Sequence, residues 1–406
     1  MRRVVITGLG VISPIGNNAE EVAQSLKDGK SGIRRMESFA EHNFKCQVGG
    51  KPTVDPAAHV DKRVYRFMSE GAGWNYMAME QAIADAGLPE SDISHERTGI
   101  IMGSGGPSAG TIVHAADITR DKGPRRIGPF AVPKAMSSTA SATLATPFKI
   151  LGVNYSITSA CTTSLHCIGA AAEQIQWDKQ DVMFAGGCEE IHWALSNLFD
   201  AMGALSTKYN DTPELASRAF DKDRDGFVGG SGAGVVILEE YERAKARGAN
   251  ILAEITGYAA TSDGYDMVAP SGEGAVRAMK LAMKTAGTGA IDYLNPHATS
   301  TPVGDIAEMK AVRETFGDKA PAISATKSMT GHSLGAAGVH EAIYTLLMMD
   351  NGFISATANV DDPEDAVQGL PLITERKDDI KIERAMSNSF GFGGTNCSLT
   401  FQRLDS

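Results

Sequence analysis

Cys161 stands where a strand-like run gives way to a helical pattern, in Val153-Asn-Tyr-Ser-Ile-Thr-Ser-Ala-Cys161-Thr-Thr-Ser. A thiol at a helix N-terminus faces unpaired backbone N–H groups and the positive end of the helix dipole. An unperturbed cysteine, with a pKa of about 8.5, is only about 3% thiolate at pH 7. About 1 kcal/mol of helix-end stabilisation lowers that pKa by roughly 0.7 unit and raises the fraction to about 14%. The sulfur is therefore expected to be a nucleophile that needs no dedicated base. The competing reading is a buried, inert cysteine.

Three more segments place polar residues at the ends of strand-like runs. Asn295-Pro296-His297-Ala298-Thr299-Ser-Thr301-Pro-Val-Gly-Asp305 follows the apolar run 291–294. Ser324-Ala-Thr-Lys327-Ser-Met-Thr-Gly331-His332-Ser-Leu-Gly passes from strand through a junction into helix, and Ser387-Asn388-Ser-Phe390-Gly-Phe392-Gly-Gly-Thr-Asn396 ends another run. Of nine histidines, His297 and His332 fall just beyond strand C-terminal ends, where parallel sheets build their sites.

The elements that must position these residues alternate. Strand-like runs at 4–7, 99–102, 153–157, 182–185 and 235–238 are interleaved with helical patterns at 19–27 and 164–176. After a break at 245–250 a second set follows: strands at 291–294, 322–325 and 397–401, and a helix at 333–349. This predicts an α/β fold with a largely parallel core. Strand, polar junction and Gly/Ala-rich helix occur at 157–172 and again at 323–342. Glycine clusters lead into strands after Gly229 and after Gly393. We read a weak internal duplication, with one half at 1–249 carrying the cysteine and the other at 250–406 carrying both histidines and Lys327.

Composition narrows the function classes. A net charge of −11 argues against nucleic acid or an anionic membrane as the main partner. Five irregularly spaced cysteines without a C-x-x-C pair fit a reducing cytosol, and no run approaches 18 apolar residues. A cytoplasmic protein is expected. Two motifs are decoys. Gly8-Leu-Gly10-Val-Ile-Ser13 imitates a dinucleotide fingerprint but has Ser13 for the third glycine and no acidic residue on a strand about 20 positions later. Asp221-Lys-Asp223-Arg-Asp225-Gly226 imitates a calcium loop, but its twelfth position is Gly232 instead of glutamate; a salt-bridged loop is expected.

Taken together, Ser-Ala-Cys161-Thr-Thr-Ser, Pro-His297-Ala-Thr-Ser-Thr, Lys327-Ser-Met-Thr-Gly-His332 and Asn-Ser-Phe-Gly-Phe-Gly-Gly-Thr-Asn resemble the signatures of β-ketoacyl synthases, from Met1 to about Leu404. Residues 201–214 and 301–305 look most like members serving bacterial fatty acid synthesis. The resemblance implies a thiolase fold, with two duplicated halves in an α/β/α/β/α stack, and a homodimer. It implies decarboxylative condensation of an acyl thioester with malonyl-acyl-carrier-protein through an acyl-Cys161 intermediate. His297 and His332 would drive decarboxylation, and Lys327 would hold the local charge arrangement. Thr299 and Thr301 would bind the phosphopantetheine arm, and Phe390 and Phe392 would line the gate. The backbone N–H groups of Cys161 and Phe392 would form the oxyanion hole. No resident organic cofactor is implied; a structural Na⁺ or K⁺ near Asn295, Glu341, Ser387 and Asn388 is.

Acyl carrier protein is acidic, so a basic docking patch is expected on this acidic chain; Lys62, Arg63, Arg66, Lys122, Arg125 and Arg126 are the candidates. Two positions depart from the family pattern. Ala298 replaces a usual glycine, which costs stability if the backbone there is left-handed, and Pro296 fixes its own φ. The alternative reading is a synthase II-type enzyme or polyketide ketosynthase with a different acyl substrate. A degradative thiolase would pair its nucleophile with one histidine and a second cysteine, and a silent chain-length partner would lack Cys161.

Overall fold

Val4–Ile12 (β1) is nine consecutive buried residues, the signature of a strand covered on both faces. The computed structural model to which it belongs describes residues 1–404 except 107. A Cβ on Gly10 would lie 1.9 Å from the carbonyl oxygen of Ala78, in the helix Glu70–Ala86 (α1). The glycines of β1 thus let a helix touch a strand and cradle no phosphate. Ser69 caps α1 by accepting from the Ala72 N–H, and Gly87, at φ 59°, ends it in the left-handed conformation that favours glycine.

The remaining strands of the main sheet are Thr98–Gly103 (β2), Asn154–Tyr155 (β3), Val182–Glu189 (β4) and Gly232–Glu240 (β5), then Ala253–Ser262 (β6), Tyr293–Asn295 (β7), Ala322–Ile323 (β8), Arg384–Gly391 (β9) and Thr395–Gln402 (β10). Their order is β8-β7-β9-β10-β6-β1-β5-β4-β2-β3. Moving inward from either edge, the third, second, fourth, fifth and first strands of a half follow one another. The duplication is therefore a property of the topology.

Parallel pairing is confined to the outer strands, β3–β2–β4 and β8–β7–β9. The central pairs are antiparallel, so the expectation of a largely parallel core is corrected to a mixed sheet. The reversal of β9 into β10 takes only Phe392-Gly393-Gly394, with φ of 85° and 72° at the two glycines. A hairpin this short leaves no room for a parallel crossover.

Helices Thr163–Gln176 (α2) and Ala337–Asn351 (α5) pack on each other and on strands of both halves, while α1 and Glu273–Ala286 (α3) cover opposite outer faces. The result is the layered α/β/α/β/α stack. Residues 337–349 are all buried, as a middle-layer helix requires. The helix expected over 333–349 is interrupted at its start: Leu334, at φ 47°, opens a 3₁₀ turn, Leu334–Ala336, before α5 begins. The Asp221 loop is salt-bridged, as expected. Asp221 accepts from the N–H groups of Asp223, Asp361 and Asp362 and pairs with Arg218, and Arg224 bonds Glu364.

Candidate active site

Cys161 sits on a tight turn two residues before α2. Ala160 has φ 51°, left-handed and costly for a side-chain-bearing residue. Two hydroxyls hold it there: Thr162 Oγ1 donates to the Ser159 carbonyl at 2.6 Å and Thr163 Oγ1 to the Ala160 carbonyl at 2.7 Å. The second half reaches in as well, since Thr162 Oγ1 lies 3.0 Å from Thr395 Oγ1 and a Cβ on Gly391 would lie 3.1 Å from the Cys161 nitrogen.

His297 follows β7 on a loop with Ala298 at φ 30° and Ser300 at φ 70°. Ala298 therefore occupies a left-handed position where glycine is cheaper. The loop is nonetheless fixed, because carboxylates at the start of Gly304–Phe316 (α4) take its amides. Glu308 accepts from the His297 and Ala298 N–H groups, both at 2.8 Å, and Asp305 accepts from those of Ser300 and Thr301. Burial pushes Glu308 up to about 7 and Asp305 up to about 6, against these amide bonds. Sequence alone does not single out Glu308, and Asp305 figures in it only as the end of the polar segment. The available signal was two acids one helical turn apart, just after a polar loop.

His332 is anchored by its backbone: its N–H donates to the Val228 carbonyl and its carbonyl accepts from Gly230, both at 2.7 Å. Its Nε2 lies 3.0 Å from Cys161 Sγ. The His297 and His332 rings meet edge to face with centroids 5.2 Å apart, and ligand atoms of Cys161, His297 and His332 lie within 4.8 Å of one another. Lys327 is buried and ion-paired to the equally buried Glu341, which burial pushes up to about 7 although the lysine pulls it down. Burial, and then the Lys327 charge, drives both histidines well below their ordinary pKa, so both are neutral at pH 7.

The thiol departs from the sequence expectation. Burial pushes Cys161 up to about 12, opposed by Lys327 and by the backbone N–H groups of Phe392 and Cys161, which lie against the sulfur; Glu189 raises it further. Desolvation outweighs the helix end, which lies one turn residue beyond the cysteine. The resting group is a thiol, and the neutral His332 imidazole is the base within reach.

Cys161, His297 and His332 line a cavity of about 330 Å³ together with Thr299, Thr301, Phe390 and Phe392. The Thr299 and Thr301 hydroxyls are 3.1 Å apart, Phe390 stands 5.9 Å from the His297 ring, and Phe392 is 38% exposed. Residues 1–244 match the model of the beta-ketoacyl synthase N-terminal domain, and 252–361 that of the C-terminal domain. The chain belongs to the beta-ketoacyl synthase family. It is 58% identical over all 406 residues to 3-oxoacyl-[acyl-carrier-protein] synthase 1 of Haemophilus influenzae, with both chains fully covered. A beta-ketoacyl synthase from Burkholderia phymatum superposes with a TM-score of 0.94 at 36% identity, covering both chains. A ketosynthase solved in complex with a type II polyketide acyl-carrier protein superposes at 0.90 with 29% identity, again covering both chains.

The remaining candidates of this synthase fall into two groups. Asn295 Oδ1, Glu341 Oε2 and Ser387 Oγ are buried oxygens with no hydrogen-bond partner, and Ser387 pairs in register with Asn295. Three such oxygens fit a hard monovalent cation. Asn388 fits less well: its Oδ1 accepts from Ser398 Oγ at 2.8 Å, and its Nδ2 is the atom left over. The six basic residues are all exposed. The Arg66 guanidinium lies 4.9 Å from the Phe67 ring centre and 5.1 Å from that of Phe130, which joins the 62–66 segment to the loop following Arg125 and Arg126. Lys122 lies 3.1 Å from Asp121, so its charge is partly offset.

His340 is a site residue that the sequence did not reveal. Its Nε2 faces the carbonyls of Ile12 and Ala233, both at 3.1 Å, so that nitrogen carries the proton. Its Nδ1 then accepts from Ser333 Oγ at 3.0 Å, tying the residue after His332 to strands β1 and β5. Burial holds His340 down to about 4, so it stays neutral.

Proposed function

We propose that this chain is a 3-oxoacyl-[acyl-carrier-protein] synthase that condenses an acyl thioester with malonyl-acyl-carrier-protein, lengthening fatty acyl chains by two carbons through acyl-Cys161. One observation carries the reading: a thiol and two neutral imidazoles converge on a single cavity that Thr299, Thr301, Phe390 and Phe392 also line. The full-length 58% relative supports the type I assignment over the synthase II-type and polyketide alternatives.

The chemistry follows from the distances. As Cys161 Sγ attacks the acyl carbonyl, its proton passes to His332 Nε2, 3.0 Å away, and then to the departing carrier thiolate. Charge on the carbonyl oxygen is met by the Cys161 and Phe392 amides; one such donor is typically worth about 2.7–4 kcal/mol. Malonyl thioester, held through its arm by Thr299 and Thr301, then loses CO₂. The enolate oxygen is stabilised by the Nε2–H of His297 and, once the His332 imidazole has taken up a solvent proton at Nε2 and lost the one at Nδ1, by that of His332. The enolate carbon attacks the acyl group and expels the Cys161 thiolate, which regains a proton from solvent. Burial, helped by the Lys327 charge, keeps both imidazoles neutral, the state in which they do not repel one another. In this reading residues 1–249 supply the thiol and 250–406 the histidines. Asn295, Glu341 and Ser387 would hold a structural Na⁺ or K⁺ through their unpartnered buried oxygens, and the ion would supply charge balance there. The partner is acyl carrier protein. A second copy adds to the edge strand β3, which is exposed beside Leu151, itself 62% exposed. Five free cysteines support a cytoplasmic setting.

The test is intact-mass measurement after incubation with acyl carriers of several chain lengths. An acyl adduct mapping to the Cys161 peptide is expected; a thiol that stays unmodified with every acyl length would sink the proposal. Charge reversal at Arg66 or Arg125 should raise KM for the carrier and flatten its salt dependence with kcat unchanged, read from initial rates at two ionic strengths. An unchanged KM would remove this face from docking. His340→Ala should lower malonyl decarboxylation about 10- to 100-fold with Cys161 acylation nearly intact, since a misplacement near 1 Å suffices for such a loss. His340→Gln, which retains a donor and an acceptor, should restore most of it. Loss of thermal stability alone would assign His340 a purely structural role.

A further inference from the structure

We infer that the Cys161–His297–His332 cluster is also a reversible binding site for a soft divalent cation such as Zn²⁺, and that occupancy switches the synthase off. The donor set is one sulfur and two imidazole nitrogens, the combination that zinc prefers over oxygen. The ligand atoms lie within 4.8 Å of one another, with Cys161 Sγ and His332 Nε2 already 3.0 Å apart. A tetrahedral zinc with bonds of about 2.0–2.3 Å places its ligands roughly 3.3–3.7 Å apart, so side-chain rotation of about 1 Å closes the site. The adjoining cavity of about 330 Å³ leaves room for water in the fourth position.

The surroundings define what kind of site this is. Each imidazole can offer one ring nitrogen to the ion, but the Nδ1 atoms of His297 and His332 have no hydrogen-bond partner. Resident metal sites almost always give that second nitrogen an acceptor, whose absence typically costs 10–100-fold in affinity. The buried Lys327 cation opposes a second positive charge nearby, although its pairing with Glu341 moderates this. Binding is therefore weaker than at a structural zinc site and is undone by a chelator. Coordination releases the Cys161 thiol proton to solvent, one proton per ion, and forms a Zn–S bond in place of S–H. A metal-bound thiolate is a weaker nucleophile than the free one, and the ion fills the space through which an acyl carbonyl must approach it, while an acylated sulfur has no thiolate left for the metal. The two states exclude each other. The sulfur and imidazole donors are poor ligands for a hard cation, so magnesium is not expected to mimic the effect.

Metal binding can be measured without turnover, so its failure is distinguishable from failure of the condensation reading. The apo-protein is titrated with Co²⁺ as spectroscopic probe and with Zn²⁺ as competitor. The expected result is a sulfur-to-cobalt charge-transfer band at one equivalent, abolished by Zn²⁺, by EDTA, by Cys161→Ala and by prior acylation of the wild-type thiol. Acylated wild type serves as the control that needs no substitution, and His297→Ala should weaken the band at least tenfold in cobalt concentration. A band that survives acylation, or equal zinc stoichiometry in free and acylated protein, would overturn the proposal. So would millimolar Mg²⁺ competing as well as Zn²⁺.

Discussion

Cys161→Ala will abolish acyl transfer, by about 10⁴-fold or more, and leave malonyl decarboxylation measurable. The loss is large because no other thiol can substitute: Cys46, Cys167, Cys188 and Cys397 are buried elsewhere. Decarboxylation survives because the groups facing the enolate are held independently of the sulfur. His297 is fixed through Glu308, and His332 through Val228 and Gly230. His297→Ala should give the opposite pattern, lowering decarboxylation about 10²–10³-fold by removing one donor while Cys161 still accepts an acyl group. Mass spectrometry of the acyl-enzyme and CO₂ release from malonyl carrier measure the two steps separately. Parallel loss of both in each variant would contradict the division of labour.

Lys327→Met will cost about 3–5 kcal/mol of stability at neutral pH, because it strands Glu341 in a site where both side chains are 3% exposed or less. The pH dependence carries the diagnosis. The folded-state pKa of Glu341 is already raised to about 7 by burial, and without the lysine it rises further. A carboxyl group with a raised folded pKa favours folding while protonated, and that contribution is lost as pH rises through the folded value. The variant's deficit should therefore be small near pH 5 and largest at pH 8, as read from denaturant midpoints. A deficit independent of pH would place its cause outside the Glu341 charge. Activity should respond in the other direction: with Lys327 gone, the His297 and His332 pKa values rise toward the ordinary imidazole range, so the acidic limb of decarboxylation moves to higher pH.

How much of this was legible in the chain varies with the range of the interaction. Glycine clusters, strand runs and their repetition are local, and they located the main elements and the duplication correctly. The antiparallel centre of the sheet was not legible, because a three-residue reversal at Phe392-Gly393-Gly394 and the pairing of β1 with β5 and β6 depend on partners far apart in sequence. The Ala298 strain was foreseen from one residue type; the amide bonds to Glu308 that hold it were not.

Residue types and their order by themselves pointed to a cysteine, two histidines and a lysine gathered at one site. The protonation states were decided only by tertiary structure. A helix end is a local feature with an effect of about 1 kcal/mol, whereas desolvation sums over every group packed around the sulfur, and burial wins at Cys161. The base proposed for that thiol proton is His332, brought within 3.0 Å from 171 residues away.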